Sequence, residues 1–280
     1  LKKLVENGKN DLSLALTTGL FLSKTLTKLH DNKIIHKNLN ANNILHNAKS
    51  QEFCLIDFSN ASTIKEKKSL YGGVSEISGE LEYISPEQTG RINRRVDHRS
   101  DLYSLGIVLY EIVTGTLPFS EKSSREAIYG HIAILPEPPI ENNPSIPVAL
   151  SKLIMKLLEK DAEARYQSST GVAQDLQKIQ KEFVSGKNTD FVLAEYDRAK
   201  TLTLSQKLYG RDKELKELNN HLQEVSLGGF GVDMVFGYSG SGKSALVKEA
   251  FKGLAKTNGY FLSGKFDQRQ RNIPYYAIRQ

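Results

Sequence analysis

Residues 36–43 of this 280-residue chain read HKNLNANN, a polar stretch with one histidine and four asparagines. Short apolar runs of β-forming residues lie on both sides of it, at residues 34–35 and 53–56. The side-chain amide of Asn38 is neutral and almost non-basic, so it can orient a hydroxyl group but cannot remove its proton. The stretch therefore predicts a polar loop between two short strands, without a general base at Asn38.

Helical periodicity surrounds this loop. Asp11 is a suitable N-cap for a helix that runs to about His30, because apolar residues recur at three- and four-residue steps after it. Further helices are predicted at residues 101–114, 147–159 and 169–183. Residues 59–82 are polar and glycine-rich, which predicts a long mobile loop, and the proline-rich residues 136–147 are expected to be extended or turning. The first part of the chain is therefore expected to be mainly α-helical.

The stretch at residues 36–43 resembles the catalytic loop of protein kinases, whose pattern is H-R-D-L-x-x-x-x-N. Other protein-kinase landmarks follow in the same order. They are Asp57-Phe58-Ser59 at the D-F-G position, Ser85-Pro86-Glu87 at the A-P-E position, DLYSLG at residues 101–106, and Arg165, which matches the arginine that pairs with the A-P-E glutamate. Each match alone is weak, but their common order and spacing indicate a protein-kinase-like C-lobe. The N-lobe would lie upstream of Leu1, so the chain is expected to be a piece of a longer protein.

The resemblance implies roles for individual residues. In protein kinases an aspartate at the Asn38 position accepts the proton of the substrate hydroxyl, so the base position is impaired here. Asn43 and Asp57 match the two metal ligands and are expected to hold Mg²⁺ against the phosphates of ATP. A lysine and a threonine of the transfer site are replaced by Asn40 and Glu80, which removes a cation and adds a carboxylate.

Ser59 stands at the D-F-G glycine and is expected to restrict the backbone at that turning point. His36, Asp101 and a Glu87–Arg165 pair are expected to be structural. These departures favour an impaired kinase or pseudokinase over an efficient kinase. The loose transition state of phosphoryl transfer makes a low demand on the base, however, so an active kinase stays an alternative.

Residues 83–94, YISPEQTGRINR, narrow the resemblance to the kinase-like domain at the front of multi-sensor signal transduction histidine kinases. In that family a serine/threonine-kinase-like domain precedes an AAA-type ATPase region, and sensor and histidine-kinase modules follow. The resemblance implies that these downstream modules of the same longer chain are partners, together with a nucleotide and, in an active kinase, a protein substrate.

A second motif lies near the end of the chain. GYSGSGKS at residues 237–244 matches the phosphate-loop pattern G-x-x-x-x-G-K-[ST] in full. Its glycines let backbone N–H groups turn toward bound phosphates, and they are Gly237, Gly240 and Gly242. Lys243 would reach the β- and γ-phosphates, and the Ser244 hydroxyl would bind Mg²⁺. An apolar strand is predicted before the motif at residues 232–236, and a helix after it that ends at Gly259.

The predicted fold class is a mainly α protein-kinase-like C-lobe followed by the start of an α/β P-loop NTPase domain. The C-lobe takes residues 1–184, a linker residues 185–206, and the NTPase part residues 207–280. In the last part, a helix is predicted from Arg211 to about Val225 and a second strand from Tyr260. Residues 208–211 and 264–268 resemble segments that flank the phosphate loop in the AAA-type region. The acidic strand of a complete ATPase site would lie after Gln280, so ATP binding is expected and hydrolysis by this piece is not.

The composition is that of an ordinary globular protein, with 25% charged residues, 39% hydrophobic residues and a formal net charge of +6. No basic stripe is interleaved with aromatic residues, so a nucleic-acid partner is not expected. No apolar run reaches the roughly 18 residues that cross a bilayer, so no membrane contact is expected. The single cysteine, Cys54, allows no disulfide within the chain and is expected to be buried and inert, which fits a cytoplasmic location.

Three functions follow from these patterns. The first is an ATP-binding signalling module, in which a kinase-like domain is coupled to a P-loop NTPase within a larger sensor histidine kinase. The second is an active serine/threonine protein kinase. The third is a non-catalytic scaffold, for which the exposed segment expected at residues 115–147 is the first candidate docking surface.

Overall fold

A computed structural model describes residues 1–7, 11–63, 79–92, 94–119, 123–186, 190–198, 210–238 and 240–251. The chain divides into two units. The larger unit contains the helices and strands up to residue 184, and the smaller unit contains the helices after residue 210. Several predictions lie wholly or partly outside the described residues. The helix end at Gly259, the strand from Tyr260 and the flanking segment at 264–268 lie wholly outside them. Residues 64–78 of the loop predicted at 59–82, and residues 208–209 of the segment at 208–211, also lie outside them.

The larger unit is built from helices and two small pairs of strands. Its helices are α1 (Lys2–Asn7), α2 (Leu12–Asp31), α3 (Arg99–Thr114), α4 (Ser124–Ala133), α5 (Pro139–Asn142), α6 (Val148–Leu157) and α7 (Ser169–Val184). Its strands are β1 (Ile34–Ile35), β2 (Ile44–Asn47), β3 (Glu52–Leu55) and β4 (Ser62–Thr63), and short 3₁₀ turns span Ala41–Asn43 and Pro86–Thr89. β1 pairs antiparallel with β4, and β2 pairs antiparallel with β3. The smaller unit contains α8 (Asp212–Ser226) and α9 (Lys243–Phe251).

Helix α2 begins where the sequence predicts. The Asp11 carboxylate caps it by accepting a hydrogen bond from the Leu14 N–H at 2.9 Å. Its apolar face, which includes Leu16, Leu22 and Leu26, is buried, and α2 packs against α3 and α7. The helices predicted at residues 101–114, 147–159 and 169–183 are confirmed as α3, α6 and α7. The polar loop at residues 36–43 comes after α2 and the short strand β1.

Helix α3 lies at the centre of the core, as its nearly continuous apolar sequence indicates, and residues 99–113 are all buried. Gly106 makes room for α6, because a Cβ atom added there would lie 2.8 Å from the Leu157 Cβ atom. Gly115 ends the helix in the left-handed conformation, with a φ angle of 74°. The crossing of α3 and α6 therefore depends on the absence of a side chain at residue 106.

Three predictions about exposure and local structure are wrong. Residues 115–147 are not an exposed surface throughout, because α4 lies in this segment and Phe119 and Ile128 are buried. Residues 136–147 are not wholly extended or turning, because Pro139 begins α5 at a position where a missing N–H costs no hydrogen bond. Cys54 is exposed and not buried, since it lies on the exposed side of β3.

Part of the predicted linker belongs to the larger unit. Phe191 and Leu193 pack against its hydrophobic core. The Asp197 carboxylate accepts hydrogen bonds from the Gln167 N–H and from the Ser168 hydroxyl, the latter at 2.7 Å. Residues 190–198 therefore contact the N-terminal end of α7 and the core through both hydrogen bonds and apolar packing.

In the smaller unit, α8 confirms the helix predicted from Arg211, and α9 follows the phosphate loop. The strand predicted at residues 232–236 is wrong, because this segment forms no strand within the described residues. A strand needs a neighbour that pairs with its backbone N–H and C=O groups, and the described part of the chain supplies none to this segment. Over the described ranges, no helix combines the length and the hydropathy that crossing a membrane requires.

Candidate functional site

The loop at residues 36–43 is held by one buried carboxylate at the start of α3. Asp101 accepts hydrogen bonds from the His36 N–H at 2.9 Å and from the Lys37 N–H at 2.8 Å. The His30 Nε2 atom lies 2.9 Å from the Asp101 Oδ2 atom. Burial raises the pKa of Asp101, but His30 and these backbone hydrogen bonds outweigh burial and lower the pKa below its ordinary value. Asp101 is therefore an anion that fixes the entry to the loop, which is the structural role expected for it.

His36 is fully buried beneath the loop. Its Nδ1 atom accepts a hydrogen bond from the Asn38 N–H at 3.3 Å, and its Nε2 atom lies 3.2 Å from the Ile56 carbonyl oxygen. Burial lowers the pKa of His36, so the ring is neutral, and this geometry assigns its proton to Nε2. His36 therefore joins the loop to the strand that leads to Asp57, as the structural interpretation expects.

Two side-chain amides converge on the Asp57 carboxylate. The Asn38 Nδ2 atom donates to the Asp57 Oδ2 atom at 2.6 Å, and the Asn43 Nδ2 atom lies 3.4 Å from the same oxygen. The Asn43 amide also donates to the Asn38 carbonyl oxygen at 2.9 Å. The structure therefore brings together the three residues that sequence patterns single out here, the base position and the two expected metal ligands.

The backbone at this cluster is strained. Lys37 and Asp57 have positive φ angles of 65° and 61°, a region that residues with a Cβ atom rarely adopt. Such conformations persist only where surrounding contacts impose them, and they concentrate at functional sites. The hydrogen bond from the Lys37 N–H to Asp101 and the hydrogen bond from the Asn38 amide to the Asp57 carboxylate are contacts of this kind.

Ser59 acts on the cluster through its hydroxyl group, which sequence reasoning missed. The hydroxyl donates to the Asp57 Oδ1 atom at 2.6 Å, and the Ser59 N–H lies 3.3 Å from the same oxygen. These two hydrogen bonds are the main reason why the pKa of Asp57 is below its ordinary value, with Asn38 and Asn43 contributing less. The positive φ angle falls on Asp57 and not on Ser59, so residue 59 does not adopt a conformation that favours glycine.

Asn40 has a structural role in the loop. Its Oδ1 atom accepts hydrogen bonds from the Asn42 N–H at 2.9 Å and the Asn43 N–H at 3.0 Å, which caps the 3₁₀ turn Ala41–Asn43. Its Nδ2 atom donates to the Asn38 Oδ1 atom at 3.2 Å. The Glu80 carboxylate accepts from the Asn42 amide at 3.0 Å. The uncharged Asn40 therefore holds Asn38 and Asn43 in place, and Asn42 ties Glu80 to the same loop.

The chain near residues 79–88 also contacts the loop closely. Gly79 has a φ angle of 111°, and a Cβ atom there would lie 3.1 Å from the Lys37 carbonyl oxygen. The Gln88 Nε2 atom donates to that same oxygen at 2.8 Å. Sequence reasoning assigned no role to Gln88, although its place directly after Ser85-Pro86-Glu87 is a signal that could have found it.

In the smaller unit, the phosphate loop lies at the start of α9. Gly240 and Gly242 have φ angles of 81° and 82°, a region that favours glycine. The Lys243 Nζ atom donates to the carbonyl oxygens of Gly237 and Tyr238 at 2.8 and 2.7 Å. Phosphate oxygens would replace these carbonyl groups as partners of the ammonium.

Two further residues belong to this loop. Ser244, the second residue of α9, is exposed, so its hydroxyl is open to a metal ion. The Arg211 Nη2 atom donates to the Ser241 carbonyl oxygen at 3.2 Å, a contact that sequence reasoning did not assign. Ser239 lies outside the described residues.

The oxygen atoms of the cluster formed by Asn38, Asn43 and Asp57 fit a Mg²⁺ ion that is bound together with a nucleotide. Asp57 is an ionised carboxylate, and the Asn43 Nδ2 atom is the donor to both Asn38 and Asp57, which leaves its Oδ1 atom as an oxygen ligand. No group of three His, Cys, Asp or Glu side chains among the described residues is placed to hold a metal ion alone. Oxygen atoms of a nucleotide or of water would therefore complete the coordination.

Comparisons with known proteins agree with this geometry. Residues 12–178 match the family model of the protein kinase domain, and residues 207–280 match that of the AAA ATPase domain. The chain is similar to hybrid signal transduction histidine kinase G of Dictyostelium discoideum, with 38% identity over 217 residues, which are 70% of this chain and 6% of that protein. It is also similar to a "Probable serine/threonine-protein kinase" of Clostridium acetobutylicum, with 34% identity over 190 residues, 66% of this chain and 28% of that protein.

A third relative is serine/threonine-protein kinase PknB of Mycobacterium leprae, 37% identical over 150 residues, which are 54% of this chain and 24% of that protein. The chain thus spans less than a third of the length of each of these curated relatives. The matched residues 12–178 include the whole catalytic-loop cluster and its Asp101 anchor. The chain therefore belongs to the protein kinase family, with an AAA ATPase domain after the kinase domain.

Proposed function

We propose that the chain is an ATP-binding signalling module whose kinase-like site holds a nucleotide with Mg²⁺ but transfers phosphate poorly. The observation that carries this proposal is the 2.6 Å hydrogen bond from the Asn38 amide to Asp57. A general base must present a lone pair to the substrate hydroxyl. The Asn38 Nδ2 group is a donor aimed at the metal carboxylate, and its amide oxygen is almost non-basic.

The site lacks a second contribution to phosphate transfer. Charge on the transferring phosphoryl group is stabilised mainly by cations and oriented donors. Asn40 is uncharged and serves as a cap of the loop, and the Glu80 carboxylate is tied to the loop by Asn42. The oxygen atoms of Asn43 and Asp57, the two proposed metal ligands, support nucleotide binding better than catalysis by this cluster.

The second part of the proposal is a coupling to the P-loop NTPase within a larger cytoplasmic sensor histidine kinase. The phosphate loop supports ATP and Mg²⁺ binding through Lys243 and Ser244. The similarity to a hybrid histidine kinase supports downstream sensor and histidine-kinase domains as partners on the same longer chain. The domain limits 1–184, 185–206 and 207–280 belong to this proposal.

The test is transfer of the γ-phosphate from Mg·ATP by the protein with the residues upstream of Leu1 included. Lys243→Ala silences the P-loop, and the Asn38 form is compared with Asn38→Asp. A restored base should raise the rate by about 10²–10⁴. Transfer by the Asn38 form within about tenfold of the Asp form would contradict the proposal and establish an active serine/threonine kinase.

One observation favours that alternative. The buried anchors of an intact protein-kinase loop, Asp101 and His36, are both in place, so the loop geometry itself is not damaged. If neither form transfers phosphate, the domain is a pseudokinase that acts by binding alone. An unchanged nucleotide affinity in the Lys243→Ala variant would contradict the NTPase part separately.

A further inference from the structure

The Asp57 carboxylate has no acceptor position left without a donor. An ionised carboxylate offers about four lone-pair positions on its two oxygens. The Oδ1 atom faces the Ser59 hydroxyl at 2.6 Å and the Ser59 N–H at 3.3 Å. The Oδ2 atom faces the Asn38 amide at 2.6 Å and the Asn43 amide at 3.4 Å. Four donors therefore match the four positions.

A divalent cation binds a carboxylate through the same lone pairs, so its binding to Asp57 has to displace at least one of these donors. The Asn38 and Ser59 side chains are the two close donors, and both are strong because the acceptor is charged. Asn43 differs from them, since its Oδ1 atom remains free to become a ligand when its amide gives up the long contact.

An aspartate at position 38 would have the opposite effect. It would place a second carboxylate where the amide now donates at 2.6 Å, and two adjacent anions repel each other unless a cation lies between them. The residue at position 38 therefore decides whether Asp57 is stabilised by a hydrogen bond or by a metal ion.

We propose that Asn38 and Ser59 are specificity-determining residues that lower the affinity of Asp57 for divalent cations. The kinase-like site then holds Mg²⁺ more weakly than the same site would with aspartate at position 38 and glycine at position 59. This rests on the proposed function, because it concerns the same nucleotide site, but it predicts a change in metal affinity and not in transfer rate.

The test is a titration of the full chain with Mn²⁺ alone, followed by paramagnetic broadening of the backbone N–H signals of residues 36–44 and 57–60. All proteins carry Ser244→Ala, which removes the metal ligand of the P-loop. The variants are Asn38→Asp and Ser59→Gly. Asn60→Asp is the matched control, because it adds the same charge three residues from Asp57 at a side chain that is not among the Asp57 donors. Asp57→Asn identifies which broadening comes from this site.

We expect Asn38→Asp to lower the Kd for Mn²⁺ by about tenfold or more, and Ser59→Gly by about threefold, because each removes a charge-assisted hydrogen bond that competes with the metal. Asn60→Asp should change the Kd less than about twofold, because residue 60 is not among the hydrogen-bond donors to Asp57. An unchanged Kd in both variants would overturn the proposal, as would an equal effect of Asn60→Asp and Asn38→Asp. Broadening that Asp57→Asn leaves intact in every variant would instead refute the metal role in the proposed function.

Discussion

Replacement of Arg165 by methionine should cost the larger unit about 3–5 kcal/mol of folding free energy, the usual cost of removing one partner of a buried ion pair. Arg165 and Glu87 are 1% and 4% exposed. Their two hydrogen bonds, Nη1 to Oε1 at 2.7 Å and Nη2 to Oε2 at 3.0 Å, confirm the pair that the sequence predicts. The Arg165→Met substitution removes both of these donors. It leaves the Glu87 carboxylate with the side-chain hydrogen bond from the Ser100 hydroxyl, which is 2.7 Å long in the wild type. The Glu159 carbonyl oxygen also loses the hydrogen bond from the Arg165 Nε atom, which is 2.7 Å long in the wild type.

The assay is urea denaturation of the full chain followed by far-ultraviolet circular dichroism, with a thermal melt beside it. A loss of about 3–5 kcal/mol corresponds to a Tm lower by about 6–20 °C for a domain of this size. Lys152→Met is the matched control, because its ion pair with Asp190 is half exposed and should contribute less than about 1 kcal/mol. The double variant Glu87→Gln/Arg165→Met should lose less than the sum of the two single losses.

The pH dependence gives an independent check. Burial raises the pKa of Glu87, but Arg165 and Ser100 outweigh burial and lower the pKa below its ordinary value of 4.5. A carboxyl group with a lowered folded-state pKa stabilises the fold above its unfolded-state pKa, and this stabilisation is lost as the pH falls. The difference in unfolding free energy between the wild type and Arg165→Met should therefore become smaller below about pH 4.5. A loss no larger than that of Lys152→Met at neutral pH would refute the reasoning.

Three further predictions follow from other contacts. Burial, and then Arg165, lower the pKa of Lys160 to about 7, so the unfolded chain binds more protons above that pH. Stability should rise by at most about 1.4 kcal/mol per pH unit between pH 7.5 and 9.5, and urea titrations should show a smaller rise in Lys160→Met. Gly106→Ala should lower the free energy of unfolding by about 1–3 kcal/mol, since the added Cβ atom would lie 2.8 Å from the Cβ atom of Leu157 in α6, which cannot move without the backbone. Gly19→Ala should cost less in the same assay, because its nearest contacts are ends of leucine side chains at 3.0 and 3.1 Å. Lys243→Ala should weaken ATP-analogue binding to the P-loop at least about tenfold by calorimetry with an unchanged helical signal, and equal affinity would contradict the assignment.

The sequence by itself determined the features that depend on neighbours along the chain. The Asp11 cap and the apolar periodicity of α2 predict its bounds within two residues, because capping and helix periodicity act over one or two turns. The phosphate loop is also local, since Gly240, Gly242 and Lys243 lie within a few residues of one another. The order of the protein-kinase motifs then predicted which distant residues would meet, including Glu87 and Arg165.

Contacts between segments that are distant in sequence decided the rest. The segment at residues 232–236 has the apolar composition of a strand, but a strand depends on a hydrogen-bonded neighbour that composition does not supply. Cys54 lies in an apolar run, yet the packing of β3 places it on the exposed side.

The candidate site shows the same division. The sequence predicted Asn38, Asn43 and Asp57 as site residues. It did not predict that the Asn38 amide would donate a hydrogen bond to Asp57, 19 positions later in the chain. The direction of that hydrogen bond, and the hydrogen bond from the Ser59 hydroxyl to the same carboxylate, depend on how the folded chain places these side chains. A side chain's chemistry is a property of its residue type, whereas the partner that it meets is a property of the folded chain, which only the tertiary structure supplies.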